Sequence, residues 1–290
     1  MKVIRAVAQL RDIVHTEKKN GQTIGFVPTM GFLHEGHITL AKQARKENDV
    51  VIMSIFVNPL QFGPNEDYER YPRDPEHDTE LAKSCGVDYL FMPSVDDMYP
   101  DEPAVVLTVK KRTNALCGLK REGHFDGVAT VVLKLFHMTE PDKAYFGKKD
   151  AQQLAVIYGL VDSLNVSVTI VGVDTVREKD GLAKSSRNVY LLPEEREKAP
   201  AIYNALSHAR EALEAGEINV ERLREQAIDY LRDHSGAEVE YVEILSYPEL
   251  EPVRKVERMI IIAAAVQYKN ARLIDNVILT MEGGASCFEQ

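Results

Sequence analysis

Short apolar runs, each followed by a stretch of helical periodicity, recur through the first 180 residues of the chain. Runs at 24–27, 50–57, 87–92, 143–146 and 166–173 read as buried strands. Helical patterns follow Gly36, span 74–85, run from Asp126 as N-cap to about Met138, and run from Asp150 to about Leu164. This alternation predicts an α/β domain on a parallel sheet. The character changes after about residue 175. Pro193-Glu194-Glu195 marks a helix start, with proline in the first turn and acids at the positive end. Helical patterns continue to about 215 and over 220–234, and runs at 242–245, 259–266 and 273–279 read as strands. The expectation is an α/β domain over 1–180 and a smaller α+β domain over 181–290, with helices and a small antiparallel sheet. Residues 283–286, Gly-Gly-Ala-Ser, read as a mobile tail.

Composition narrows the function classes. The chain has 290 residues, of which 44% are hydrophobic, enough for two cored domains. Its net charge is −10, from 35 basic and 45 acidic side chains, which argues against a nucleic-acid or anionic-membrane binder. No apolar stretch approaches the ~18 residues that span a bilayer, and the N-terminal residues lack the apolar core of a signal peptide. Cys85, Cys117 and Cys287 form no Cys-x-x-Cys pair, so neither a disulfide framework nor a zinc site is expected. A cytoplasmic protein without a resident metal is the expectation.

Candidate chemistry gathers just after the strands. Residues 28–37 read Pro-Thr-Met-Gly-Phe-Leu-His-Glu-Gly-His and contain His-x-Gly-His at a strand-to-helix turn. A helix start there presents unpaired N–H groups and a positive dipole end to an anion. His34 and His37 add donors near neutral pH, and Gly36 leaves room for a base or phosphate. Two histidines three apart also share a helix face by chance, or form half of a metal site. Asn58 and Gln61, in Phe-Val-Asn-Pro-Leu-Gln-Phe, offer neutral donors and acceptors to a polar substrate; Asn-Pro is equally a turn signal. At 147–153, Gly147 permits close approach, Lys149 suits phosphate, Asp150 caps a helix or meets a ribose hydroxyl, and Gln153 lies one turn in. Lys184, Ser185, Ser186 and Arg187 set two cations and two hydroxyls side by side, as a triphosphate flap or a polar linker would. Arg121 is a possible anion clamp, and His124 reads as structural. Walker A, Gly-x-Gly-x-x-Gly and Gly-x-Ser-x-Gly patterns are all missing, which disfavours P-loop, dinucleotide and nucleophile-elbow chemistry.

In order along the chain, the motifs at 28–37, 56–62, 123–128 (Gly-His-Phe-Asp-Gly-Val) and 146–153 (Phe-Gly-Lys-Lys-Asp-Ala-Gln-Gln) closely resemble the pantothenate synthetases (pantoate–β-alanine ligases) of the His-x-Gly-His nucleotidyltransferase superfamily. The resemblance implies a Rossmann-like parallel-sheet domain followed by a small lid, and a homodimer. It implies ATP with Mg2+, and the small molecules pantoate and β-alanine, joined through a pantoyl adenylate. It places Met30, Gly31, Phe32, Leu33, His34, Glu35, Gly36 and His37 along ATP, with Gly147, Lys148, Lys149, Asp150, Val176, Lys184, Ser185, Ser186 and Arg187. His37, His34, Lys149, Ser185, Ser186 and Arg187 are the implied catalytic set. Gln61 and Gln153 are the implied pantoate ligands, with Asn58 and Arg121 in second rank. Rival readings are a transferase that leaves the nucleotide on its product, a non-catalytic ATP or metabolite sensor, and an RNA binder related to class I aminoacyl-tRNA synthetases, which the charge disfavours.

One position departs from the family pattern: methionine is common where this chain has Lys184. Lys184→Met is expected to leave kcat/KM within a few fold. A loss beyond ~100-fold, roughly 2.7 kcal/mol, would give Lys184 a phosphate role.

Overall fold

A computed structural model describes residues 1–64, 66–253 and 259–280. The chain divides into two compact units. The first holds Met1–Lys110, Lys120–Lys148 and Val156–Asp174; the second holds Lys111–Leu119, Lys149–Ala155 and the chain from Thr175. The main division thus falls a few residues before the expected boundary at 180. Two short earlier segments also join the second unit.

The first unit contains β1 (Lys2–Ile4), α1 (Val7–Lys19), β2 (Ile24–Thr29), α2 (Glu35–Glu47), β3 (Val50–Ile55), α3 (Pro75–Ser84), β4 (Tyr89–Phe91), α4 (Val95–Met98), α5 (His124–Thr139), β5 (Lys143–Gly147), most of α6 (Ala151–Leu164), and β6 (Thr169–Val173). Its six strands run in the order β1-β4-β3-β2-β5-β6, with every pairing parallel. β2 and β3 are buried on both faces, hence their continuous apolar runs. Val27, Val51 and Met53 pack with Leu40, Ala41 and Ala44 of α2 and Ala82 of α3. Phe26 points the other way, edge-on to Phe136 of α5. Strand order reverses at β2, with later strands on one side through β3 and on the other through β5. Ligands of open parallel sheets bind beyond the carboxyl ends at such a reversal. There lie the loop after Thr29 and the turn after Gly147.

The second unit contains α7 (Pro193–Lys198), α8 (Ala201–Glu214), α9 (Val220–His234), β7 (Glu238–Ser246), β8 (Met259–Gln267) and β9 (Arg272–Thr280). β7, β8 and β9 form an antiparallel sheet in that order. Ile260, Ile262, Ala264 and Val266 pack in one cluster with Leu206 of α8 and Leu231 of α9. Ile261 and Ala263 pack in another with Leu116, Ala151 and Ala155. Both faces of β8 are therefore covered, and the cover of the second face explains why 111–119 and 149–155 belong to this unit.

Two local expectations are corrected. α5 begins at His124 rather than after Asp126, because Gly123 takes the left-handed conformation (φ 73°) that starts the helix earlier. Asp126 sits in the first turn and its Oδ1 accepts from Val109 N at 2.8 Å. The helical stretch from Pro193 is broken at Pro200, which lacks an N–H, so α7 and α8 are separate. β1 and α1, which the apolar pattern did not announce, add an edge strand and a helix. The tail at 283–286 lies outside the described residues.

At Gly127 the fold admits no side chain. A Cβ there would lie 2.2 Å from Leu60 O and 2.7 Å from Gln61 N, so α5 touches the 3-10 turn Pro59–Gln61 backbone to backbone. Gly127→Ala gains helix propensity of about 1 kcal/mol, yet overpacking of this kind costs about 1–3 kcal/mol. We expect a net loss of stability in urea titration; a gain would mean that the turn shifts freely.

Candidate active site

β2 ends at Thr29, and the chain must reach α2 within five residues. It does so through Gly31 (φ 84°) and Phe32 (φ 48°), a left-handed conformation that costs a bulky residue energy. Asp78 of α3, only 1% exposed, holds this strained turn. Its Oδ2 accepts from Phe32 N at 2.8 Å and its Oδ1 from Leu33 N at 2.6 Å. Burial pushes the Asp78 carboxyl above its ordinary value, outweighing the opposite pull of the Leu33 and Phe32 N–H groups.

His34 and His37 then cap α2 reciprocally. His34 Nδ1 accepts from Gly36 N at 3.1 Å, and His37 Nδ1 accepts from His34 N at 3.2 Å. The ring centroids are 4.1 Å apart. An Nδ1 that accepts is unprotonated, so each neutral imidazole carries its proton on Nε2, on the far side of the ring from the loop. Gly36 has a different reason from the expected room for a ligand. A Cβ there would meet His34 Cε1 at 2.9 Å, so the glycine makes room for the capping ring.

Gln61 is 7% exposed and Asn58 1%. The four hydrogen-bonding directions of the Asn58 amide are spent on the protein. Nδ2 donates to Gln61 Oε1 (3.2 Å) and Gly127 O (3.1 Å); Oδ1 accepts from Tyr99 OH (2.9 Å) and Leu60 N (3.3 Å). Asn58 therefore holds Gln61. Gln61 Nε2 donates only to Met30 Sδ among the described residues, at 3.1 Å, and a thioether is a weak acceptor. His124 lies under the same turn, with Nδ1 2.7 Å from Gln61 O and Nε2 2.9 Å from Arg121 Nη1. Arg121 is forked onto Glu66, its Nε 2.7 Å from Oε1. This pairing keeps the Glu66 carboxyl below its usual range, although burial opposes it. The stretch 123–128 is thus a seat for the Gln61 turn.

Beyond β5, Lys148 pairs with Asp174 at 2.6 Å, and a Cβ on Gly147 would meet no atom of a described residue within 4 Å. In the second unit, Lys149 Nζ lies 3.5 Å from Asp150 Oδ1, within the 3-10 turn Lys148–Asp150. The two neighbouring glutamines of α6 divide their work. Gln152 is consumed structurally, accepting from Cys117 N and donating to Arg112 O and Ala115 O. Gln153 is half-buried. Val176 O accepts from Lys184 N at 2.9 Å, and Lys184 Nζ lies 3.3 Å from Glu178 Oε2. Ser185 caps the 3-10 helix Ser186–Tyr190 by accepting from Arg187 N at 3.3 Å, while Ser186 is buried.

Met30, His34, His37, Asn58 and Gln61 belong to one compact unit, and Lys149, Asp150, Val176 and Lys184 to Arg187 to the other. Sequence reasoning missed Asp78. Its only signal was a carboxylate one turn into α3, where an acid also suits the helix dipole. Because its folded pKa is raised, its contribution to folding is full below the unfolded value and is lost as pH rises through the folded one. Asp78→Asn thus removes a buried charge but also one of two acceptors. We expect a melting temperature within a few degrees of the parent and turnover lower by about 10- to 100-fold, as for a misplaced catalytic group. Turnover within twofold would show that the loop holds without Asp78.

A sequence profile described as pantoate-beta-alanine ligase matches residues 2–278. Pantothenate synthetase of Geobacillus sp. (strain WCH70) is 55% identical over 279 residues, 96% of this chain and 99% of that protein. Pantothenate synthetase of Bacillus cereus (strain ATCC 10987 / NRS 248) is 55% identical over 97% of this chain and all of its own length. The solved pantothenate synthetase of Thermus thermophilus superposes with a TM-score of 0.91 at 46% identity, covering 96% of this chain and 99% of that one. A pantoate-beta-alanine ligase from Francisella tularensis, complexed with beta-gamma ATP and beta-alanine, gives 0.78 at 38% identity, covering 96% and 97%. Matched over nearly its whole length, the chain belongs to the pantoate–β-alanine ligase family, the ligases of pantothenate biosynthesis.

Proposed function

We propose that this ligase works in two steps on ATP, pantoate and β-alanine. In the first, a pantoate carboxylate oxygen attacks the α-phosphorus of ATP. An O–P bond forms, the bond to the β-phosphate oxygen breaks, and pyrophosphate leaves. In the second, the amine of β-alanine attacks the acyl carbon of the pantoyl adenylate, loses a proton, and expels AMP as the amide forms.

The observation that carries this reading is the reciprocal histidine cap. With each Nδ1 tied to a backbone N–H, His34 and His37 present Nε2–H donors at the N-terminus of α2. Donors held in place before reaction stabilise charge growing on phosphate oxygens without reorganising. Lys149, Ser185, Ser186 and Arg187 are the further proposed phosphate contacts. Gly147, Lys148, Asp150, Val176 and Lys184 complete the proposed nucleotide set; the Glu178 partner of Lys184 argues that its charge is not spent on ATP alone.

Gln61 and Gln153 are proposed to hold pantoate. Gln61 Nε2 exchanges a thioether sulfur for a carboxylate or hydroxyl oxygen, a better acceptor. Asn58 and Arg121 serve pantoate through Gln61, by way of the turn they brace. Mg2+ is proposed to arrive on the triphosphate and to neutralise its oxygens. Among the described residues no three His, Cys, Asp or Glu side chains gather as a metal cage. A homodimer is part of the proposal. No helix among the described residues is long and apolar enough to cross a membrane.

Exchange of labelled pyrophosphate into ATP is expected to need pantoate and no β-alanine, with AMP appearing once β-alanine is added. Exchange without pantoate, or none at all, would overturn the two-step scheme. His37→Ala is expected to cut the exchange rate at least ~100-fold; near-parent exchange in a folded variant would remove His37 from phosphate stabilisation.

A further inference from the structure

Two consecutive residues of β9, outside every motif noted in the sequence, meet both nucleotide-side segments of the second unit. Asp275 is 4% exposed, and its Oδ2 and Oδ1 lie 2.6 and 3.0 Å from Arg177 Nη1 and Nη2. Arg177 also donates to Gly181 O at 3.1 Å and stacks on the Tyr203 ring, its guanidinium carbon 3.7 Å from the centroid. Arg177 bridges to Ala183 across a narrow loop whose neck is closed by Lys184 N on Val176 O. Residues 184–187 leave from that neck. The Asp275–Arg177 fork therefore sets where the flap begins.

The next residue reaches the other segment. Asn276 is 6% exposed, and its Nδ2 donates to Lys149 O at 2.8 Å. Its own N donates to Asp275 Oδ1 at 2.8 Å, so one buried carboxylate orders both ends of the arrangement. The Lys149 turn is a three-residue 3-10 helix that leads directly into α6.

We propose that Asn276, seated by Asp275, is a positioning residue for nucleotide binding: it fixes the Lys149 turn while Asp275 fixes the 176–187 loop through Arg177. This rests on the nucleotide role proposed above for those two segments. The antiparallel sheet of the C-terminal unit then sets the nucleotide contacts, in addition to its own packing.

Asn276→Leu and Asn276→Ala separate this role from packing, since leucine keeps the shape and loses the donor. ATP affinity of the full chain by titration calorimetry is the main readout, with melting temperature, KM for β-alanine and parent pyrophosphate exchange beside it. Both variants are expected to bind ATP about fivefold more weakly or worse, the share of one hydrogen bond. Melting temperature should stay within a few degrees and KM for β-alanine within twofold. ATP affinity within twofold of the parent in Asn276→Leu overturns the proposal and leaves Asn276 a packing residue. A parent that binds ATP but does not exchange pyrophosphate overturns the two-step reading alone, and the calorimetric comparison still decides this one. A parent that binds no ATP overturns both.

Discussion

Buried backbone groups must find partners, and around this site side chains supply them. The chain leaves β2 through a left-handed turn that no ladder can satisfy, so Phe32 N and Leu33 N bond to Asp78. His34 N and Gly36 N, at the start of α2, bond to the two histidines themselves. Gln61 O meets His124, and Lys149 O meets Asn276. Gln61 and Lys149, both proposed to face ligand, are thus held from behind by side chains that satisfy their backbone carbonyls. Groups fixed this way need no reordering when substrate arrives, which is the physical basis of preorganised catalysis.

The cations show the same division. The chain is acidic overall, yet its motifs are rich in lysine and arginine. Arg121 is forked onto Glu66, Arg177 onto Asp275, and Lys148 pairs with Asp174. Cations that are half-buried demand partners, and here the pairing turns Arg121 and Arg177 into scaffold. The Arg177–Asp275 pair is the deepest of these. Removing one member would strand the other, so its value lies in the geometry it enforces more than in net stability.

Glycines in the motifs divide by reason as well. Gly127 brings two backbones together, Gly36 admits a histidine ring, and Gly147 faces no atom of a described residue. Gly147, like Gly123, leaves open space among the described residues. From sequence all three read alike, because a missing side chain does not reveal what fills its place.

The periodicity of apolar residues determined the parallel sheet, its core strands and the antiparallel C-terminal strands, because each buries a face whose pattern is local. His34, His37, Gln61 and Lys149 stood out as candidates because motif chemistry sits at strand ends, where parallel sheets bind ligands. Asp126, by contrast, looked like a helix cap and is not one, since the left-handed turn at Gly123 starts the helix before it. The two segments that cover the second face of β8 could not be assigned from their own residues, which carry too little apolar pattern. Asp78, Asn58, Gln152, Asp275 and Asn276 likewise acquire meaning only when distant chain segments meet. A hydrophobic period is written along the chain, whereas a hydrogen bond across 45 residues, as from Leu33 to Asp78, exists only once the tertiary structure has set its two ends together.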